Sequence, residues 1–458
     1  MISMRTALRS PALALGLAAT VLGVTGCGDF LSGPKLENDD PNNATTASNS
    51  ALFVASQTNI AGQLESRLAR TVCIWMQQCA GQAQYLSLGN YSVAEDDYYI
   101  NWAHFYGGGG LVDLRTIQSR ALADGDSVFW GASAVLEAYV IGTAADLWGD
   151  VPYSQAAQPA TNPTPVPDPQ QQVYAAVQAK LDSAITFLAA TGERNVGPGA
   201  SDLVYGGDAG KWTRLAHTLK ARYELHVARR DPTAYNRAAA EAALGLQQGE
   251  DYAVGLSGQS ATSSNFWNLF QAIFPGYLVA GNFLVSTMQA NSDPRLPEYF
   301  ALNDNGEFAG ADPGVSVAPS AVSTLSETRL SPSFVQPFVT WAENQLIWAE
   351  AAYLSGDAPT ARTKLQEVWA AVGIPTAVPA AGTPGPTDPL LVAIMTEKYI
   401  QLFQNVEAWQ DWKRTGIPNL TPAPNGTIPR RLGYPLSERN ANPNYPQPEP
   451  TRNWNDPS

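Results

Sequence analysis

Beyond residue 46 the apolar positions recur with a helical period. The run "DSVFWGASAVLEAYVIGTAADLW", residues 126–148, is apolar nearly all round, which predicts a central helix packed on every side. Asp126 stands where an N-cap is needed. Gly149 and Pro152, in "ADLWGDVPYSQA", stand where a helix must stop. Elsewhere one face is apolar: Leu365, Val368, Trp369 and Val372 fall at i, i+3, i+4 and i+7. Helix starts are signalled by Asp168-Pro169, Asp231-Pro232 and Asp388-Pro389, with Asp357-Ala358-Pro359 as a variant. Asp as N-cap satisfies an orphan amide, and Pro at the first helical position presets φ. Helices over 211–229 and 334–354 each precede such a start. The chain therefore reads as mostly α, a set of antiparallel helix hairpins of the tetratricopeptide kind, although the consensus period is not visible. Long irregular stretches separate the hairpins, at 79–110, 191–210, 250–265, 291–333 and 415–458. Loops of that length on a helical scaffold usually carry function.

The first residues follow another rule. Arg5 and Arg9 make a basic start, and "PALALGLAATVLGV" (11–24) is an apolar run too short to span a membrane. It ends in "VTGC", Val24 to Cys27, which resembles the bacterial lipobox and implies cleavage before Cys27 and acylation of that residue. An ordinary secretory signal cleaved nearby is the alternative. The polar stretch 28–46 reads as a tether, roughly 24 Å across as a flexible coil. The expected organisation is a leader at 1–26, a lipidated Cys27 with its tether at 27–46, and one helical domain at 47–458.

Charge narrows the partners. Charged residues are 15% of the chain and the net charge is −14, which would repel a phosphate backbone and argues against nucleic acid. Cys73 and Cys79 remain after Cys27. An exported protein could pair them, yet "LARTVCIWMQQC" looks helical, and six residues of helix rise about 9 Å, beyond the reach of a disulfide. Either the helix breaks near Gln78, or both are free thiols.

Signatures of catalysis are weak. Asp146 and Asp150 lie four apart and could serve glycoside hydrolysis, but the helix-stop signal at Gly149 makes them a helix end. "GGGG" (107–110) lacks the Lys-Ser/Thr of a phosphate loop, and "NDNGEF" (303–308) lacks the first acid of a calcium loop. His104, His217 and His226 have no metal-ligand spacing, and no motif calls for a cofactor. A lipid-anchored hydrolase is thus the lesser alternative to a non-catalytic binder.

Aromatic content stands out instead, with 12 Trp, 18 Tyr and 14 Phe. Two clusters fall in polar, loop-like surroundings, "YLSLGNYSVAEDDYYINWAHFY" (85–106) and "NFWNLFQAIFPGY" (265–277). Aromatic faces stack on sugar rings and adjacent Asn and Asp bond hydroxyls. The candidate ligand residues are Tyr91, Asp97, Tyr98, Tyr99 and Asn101, joined by Asn265 and Trp267. Trp102 and Tyr106, four apart, read as a buried helical pair.

Motifs in order along nearly the whole chain resemble the SusD/RagB family of outer-membrane nutrient-binding lipoproteins, and its SusD-like 2 branch in particular. After the lipobox and "GDFL" come "ADLWGDVPYSQA", "KWTRLAHTLKARYELHVA" (211–228), "TWAENQLIWAEAAYLSGD" (340–357), "EKYIQLFQNVEAWQDWKRTG" (397–416) and "IPRRLGYPLSERNANPNY" (428–445). The resemblance implies about four tetratricopeptide-like hairpins with loop-rich ligand-binding insertions. It implies a cell-surface protein that captures oligosaccharides, or peptides as RagB does, and delivers them to a SusC-like TonB-dependent transporter. Glu343 and Glu350 resemble the family's helix-internal acids. Glu407, Trp409 and Arg414 match its C-terminal helix, and Arg430, Arg431, Tyr434 and Pro435 its final segment; all read as structural. Val24 departs from the usual lipobox Leu. Ligand residues in the family carry no fixed motif, so none transfers by match.

Overall fold

The computed structural model describes residues 47–456 except 95, 159, 257, 261 and 262. The leader, Cys27 and the tether lie outside the described residues. The helices that matter are α1 (Asn49–Glu65), α2 (Arg67–Trp75), α3 (Tyr99–Tyr106), α4 (Leu111–Asp124), α5 (Ser127–Trp148), α6 (Gln170–Leu188), α7 (Ala209–Val227), α8 (Ala234–Ala242), α9 (Phe266–Ile273), α10 (Asn282–Ala290), α11 (Trp341–Leu354), α12 (Ala358–Ala371), α13 (Pro389–Gln401) and α14 (Glu407–Thr415). Short strands β1 (Cys79–Gly81), β2 (Tyr252–Ala253), β3 (Leu278–Ala280) and β4 (Pro337–Val339) pair antiparallel as β1 with β3 and β2 with β4.

The scaffold is a succession of packed helices. α1 packs on α4, α4 on α5, α5 on α6, α6 on α7, α7 on α8, α8 on α11, and α11 on α12 and α13. α5 is long and apolar enough to cross a membrane, but its whole apolar window is buried inside the protein, which makes it a core helix. Its ends are those expected: the Asp126 carboxylate accepts from the Phe129 amide, and Gly149 leaves the helix at φ 79°.

The Asp-Pro signals divide. Asp388 and Asp357 cap α13 and α12 through the amides of Leu391 and Thr360. Asp231 instead closes a turn before α8, accepting from the Thr233 amide. Asp168 turns back to the Tyr153 and Ser154 amides at 2.8 and 2.7 Å, leaving Pro169 as the residue before α6. The helix expected over 334–354 begins only at Trp341, because residues 337–339 form β4.

Charged side chains are buried between these helices. Arg222 on α7 grips Glu343 on α11 through two bonds of 2.7 and 2.6 Å. Arg414 on α14 holds Glu350 on α11 and, at 2.7 Å, Asp411, which also takes Lys398 from α13 at 2.9 Å. The His226 imidazole on α7 lies between Asp146 on α5 and Glu407 on α14, 2.7 Å from each. Trp409 is buried, packs on Trp75 and donates to the Pro429 carbonyl. The family-motif residues thus hold the repeats together: Glu343, Glu350, Glu407 and Arg414 all sit in this network. In the final segment Arg431 pairs with Glu449, and the Tyr434 hydroxyl donates to the Asp150 carbonyl at 2.6 Å.

Candidate ligand-binding site

β1 and β3 bring the two aromatic clusters together. Cys79 pairs with Ala280 and Gly81 with Leu278, and the Gln82 amide then donates to the Tyr277 carbonyl at 2.8 Å. The chain leaving β1 turns sharply through Ala83–Tyr85. Only glycine fits at 81, since a Cβ there would stand 2.1 Å from the Tyr85 carbonyl oxygen. The base of β1 is fixed by a disulfide: α2 stops at Trp75, Gln77 turns at φ 57°, and Cys79 returns to within 5.1 Å of Cys73, Cα to Cα. The helical reading of 68–79 is corrected accordingly, and of the two alternatives left open for the cysteines the structure takes the broken helix.

The result is a row of rings. Centroid separations are 4.9 Å for Tyr85 to Phe270, 5.4 Å for Phe270 to Phe274 and 5.3 Å for Phe274 to Tyr277. Phe274 is 40% exposed and its neighbour Ile273 57%, while Tyr85 and Tyr277 are half-buried. The Arg70 guanidinium lies over the Phe270 ring, 4.3 Å from its centroid, and Arg67 lies over Tyr85 at 5.9 Å. This partly exposed aromatic ledge, with two cations against its rings, can stack on a flat or ring-shaped ligand.

α9 carries half of the ledge and is anchored from inside. The Asn265 side chain caps it through the Trp267 amide at 2.9 Å and donates to Glu65 at 3.1 Å. The Phe266 amide donates to the same Glu65 oxygen at 3.2 Å. Burial pushes the Glu65 carboxyl up to about 8, with the Phe266 amide opposing. The Trp267 indole donates to Gln336 at 2.6 Å.

The residues singled out from the sequence are therefore dispersed. Asn265 and Trp267 are fully buried under the ledge. Tyr98 is buried with its hydroxyl on Thr71, and Asn101 is buried with its amide on Gln63 and Ser66. Asp97 pairs with Arg67 at 2.7 Å and so reaches the ledge through it. Tyr91, at φ 61°, packs its ring against Gly426 and accepts from the Ala423 amide, buttressing another loop. Tyr99 is 49% exposed at the start of α3. Trp102 and Tyr106 do pack together, centroids 5.1 Å apart and rings tilted by 46°, with Trp102 buried and Tyr106 half-buried. Tyr85, Phe270, Phe274 and Tyr277 lay inside the two clusters but were not separable from core residues by spacing. The signal that finds them is the β1–β3 pairing, which the sequence does not announce.

Two other places offer less to a ring-shaped ligand. A cavity of about 630 Å³ between α10 and segments 312–315 and 421–424 has Phe283 as the one aromatic residue in its wall. Asp146, His226 and Glu407 offer ligand atoms within 4.8 Å of one another. Each imidazole nitrogen faces its own carboxylate, however, so the acids flank opposite edges of the ring and do not converge through it on one ion.

Helix hairpins stacked in series, with a loop layer that presents an aromatic ledge, define a helical-repeat protein. The chain belongs to the SusD-like_2 family, described as "Starch-binding associating with outer membrane", which it matches over residues 41–435. Its fold is shared with a structure described as a chitin-binding protein, at 22% identity, over 90% of this chain and 100% of that one, with a TM-score of 0.76. A chitin-binding SusD homologue from Flavobacterium johnsoniae matches at 19% identity over 89% and 98% of the two chains, with a TM-score of 0.72. A SusD/RagB family protein from Bacteroides thetaiotaomicron matches at 20% identity over 87% and 95%, with a TM-score of 0.71. At these identities the likeness establishes the fold. No curated protein matches the sequence.

Proposed function

We propose that this chain is a non-catalytic glycan-capturing lipoprotein of the outer-membrane surface, anchored by acylated Cys27, which passes its ligand to a SusC-like TonB-dependent transporter. The observation that carries the reading is the ledge of Tyr85, Phe270, Phe274 and Tyr277, where two sequence-distant aromatic clusters meet through buried Phe270 and leave Tyr85, Phe274 and Tyr277 in reach of solvent. Sugar rings present apolar faces to such rings, and each good stack contributes on the order of 1 kcal/mol beyond area burial. The family's description and the chitin-binding neighbours support a glycan over other ring-shaped ligands. Asp97 at the rim, through Arg67, is the sequence-selected residue best placed to take part.

Affinity electrophoresis tests the reading. The full chain should be retarded in gels containing a bound polysaccharide, and the Tyr85→Ala/Phe274→Ala double variant should run as in a blank gel. Equal retardation of both proteins would move the site off the ledge. Retardation by immobilised peptides alone would favour a peptide ligand, as in RagB.

A further inference from the structure

Six arginines among the described residues are 9% exposed or less: Arg70, Arg222, Arg295, Arg329, Arg414 and Arg431. Five of them form ion pairs, with Glu343, Glu397, Glu298, Glu350 and Glu449 in turn. Arg70 pairs with no carboxylate among the described residues. Its Nη1 makes one long contact, 3.4 Å to the Glu65 carbonyl, and its Nε is buried with no acceptor. The titratable groups that bear on it are Tyr85, which shares a side-chain hydrogen bond with it but is no counter-ion, and a second cation, Arg67.

The neighbouring acids do not cancel this charge. Asp97 is engaged by Arg67 at 2.7 Å. Glu65, the carboxyl nearest in sequence, accepts from the Asn265 side chain and the Phe266 amide and pairs with no guanidinium among the described residues, while burial pushes it up to about 8. Of the two guanidinium groups at the ledge, only Arg67 thus has a carboxylate partner among the described residues, in a chain of net charge −14. A buried cation without a counter-ion is costly, and that cost is recovered when a bound anion supplies the missing partner. A guanidinium beside an aromatic face can meet a carboxylate or sulfate at the edge of a sugar stacked on that face, with bidentate geometry.

We propose that Arg70, assisted by Arg67, makes the ledge selective for acidic glycans, whose carboxylate or sulfate groups complete its ion pair. The inference rests on the ledge being the glycan site and specifies the class of glycan.

Calorimetric titration of the full chain tests it, with three hexasaccharides: an oligogalacturonate, a sulfated galactan fragment that carries no carboxylate, and a neutral β-1,4-linked N-acetylglucosamine oligomer. At least one acidic oligomer should bind about tenfold more tightly than the neutral one at low salt, a gap of about 1.4 kcal/mol. The gap should close as salt rises. The two acidic arms separate carboxylate from sulfate. Arg70→Gln should abolish the preference by lowering acidic affinity far more than neutral affinity, and Arg70→Lys should restore part of it. Arg67→Gln, at a more exposed position, should narrow the gap even if Arg70→Gln lowers the melting temperature. A neutral oligomer that binds as tightly as both acids overturns acidic selectivity but leaves the ledge intact. Equal loss of neutral and acidic binding in Arg70→Gln, at unchanged melting temperature, gives Arg70 a general role and also overturns it. Binding of all three unaffected by Phe274→Ala overturns the ledge reading itself.

Discussion

His226 shows how the interior uses charge. Burial pulls its pKa down, Asp146 and Glu407 push it up, and the balance is about 9 against an ordinary 6.5. A histidine raised on folding contributes stability that is complete below pH 6.5 and is lost as pH rises through about 9, on the order of 3 kcal/mol. Lys413, which donates to the Asp146 carbonyl at 2.8 Å, is pressed by burial down to about 7 and titrates with the opposite effect. The quantity to read is therefore the difference between wild type and His226→Gln. That difference in unfolding free energy should shrink from pH 6.5 to 9, and a flat difference would mean that the imidazole is not charged in the fold. None of this was legible from spacing, because Asp146, His226 and Glu407 are far apart along the chain. The acids at 343, 350 and 407 could be marked as structural only through the family motif. Among the aromatics, Trp267 and Phe274 share one cluster, and the sequence does not say that α9 turns the first inward and releases the second.

At the scale of elements, helix interiors and caps were the legible part. Asp126, Asp357 and Asp388 cap as their side chains predict, and Gly149 ends α5. The failures share a cause, since a short strand needs its partner before it can be recognised. β4 replaces the first turns of the expected 334–354 helix because it pairs with β2, and β1 ends the helical reading near Cys79 because it pairs with β3. The Cys73–Cys79 disulfide locks the second of these breaks. Thiol titration of the denatured, unreduced chain should find neither cysteine reactive. Reduction should lower stability by about 2 kcal/mol, as closure of so short a loop implies. Two reactive thiols would mean that α2 runs on and that β1 is not pinned beneath the ledge.

The whole molecule combines a buried, ionically braced helical scaffold with a loop layer held by two small strand pairs. The fold class, the helix hairpins and the family were readable because the same motifs that cap and stitch helices recur in order along the chain. The ledge was readable only as two clusters, since their contact depends on β1 and β3 finding each other across about 200 residues. The proposed attachment to the membrane rests on "VTGC" alone. Cys27→Ala should release the chain from the membrane fraction or leave it unprocessed, and unchanged fractionation with unchanged mature mass would contradict the lipid anchor. The central claim is that surface rings of the ledge bind glycan while buried rings hold the fold. The direct test pairs calorimetric affinity with the thermal midpoint for Phe274→Ala and Trp267→Ala. The account predicts that Phe274→Ala weakens glycan binding about tenfold at a nearly unchanged midpoint, and that Trp267→Ala, which empties a large core site at a cost of about 3–5 kcal/mol, lowers the midpoint sharply. Full affinity in Phe274→Ala at an unchanged midpoint would contradict it.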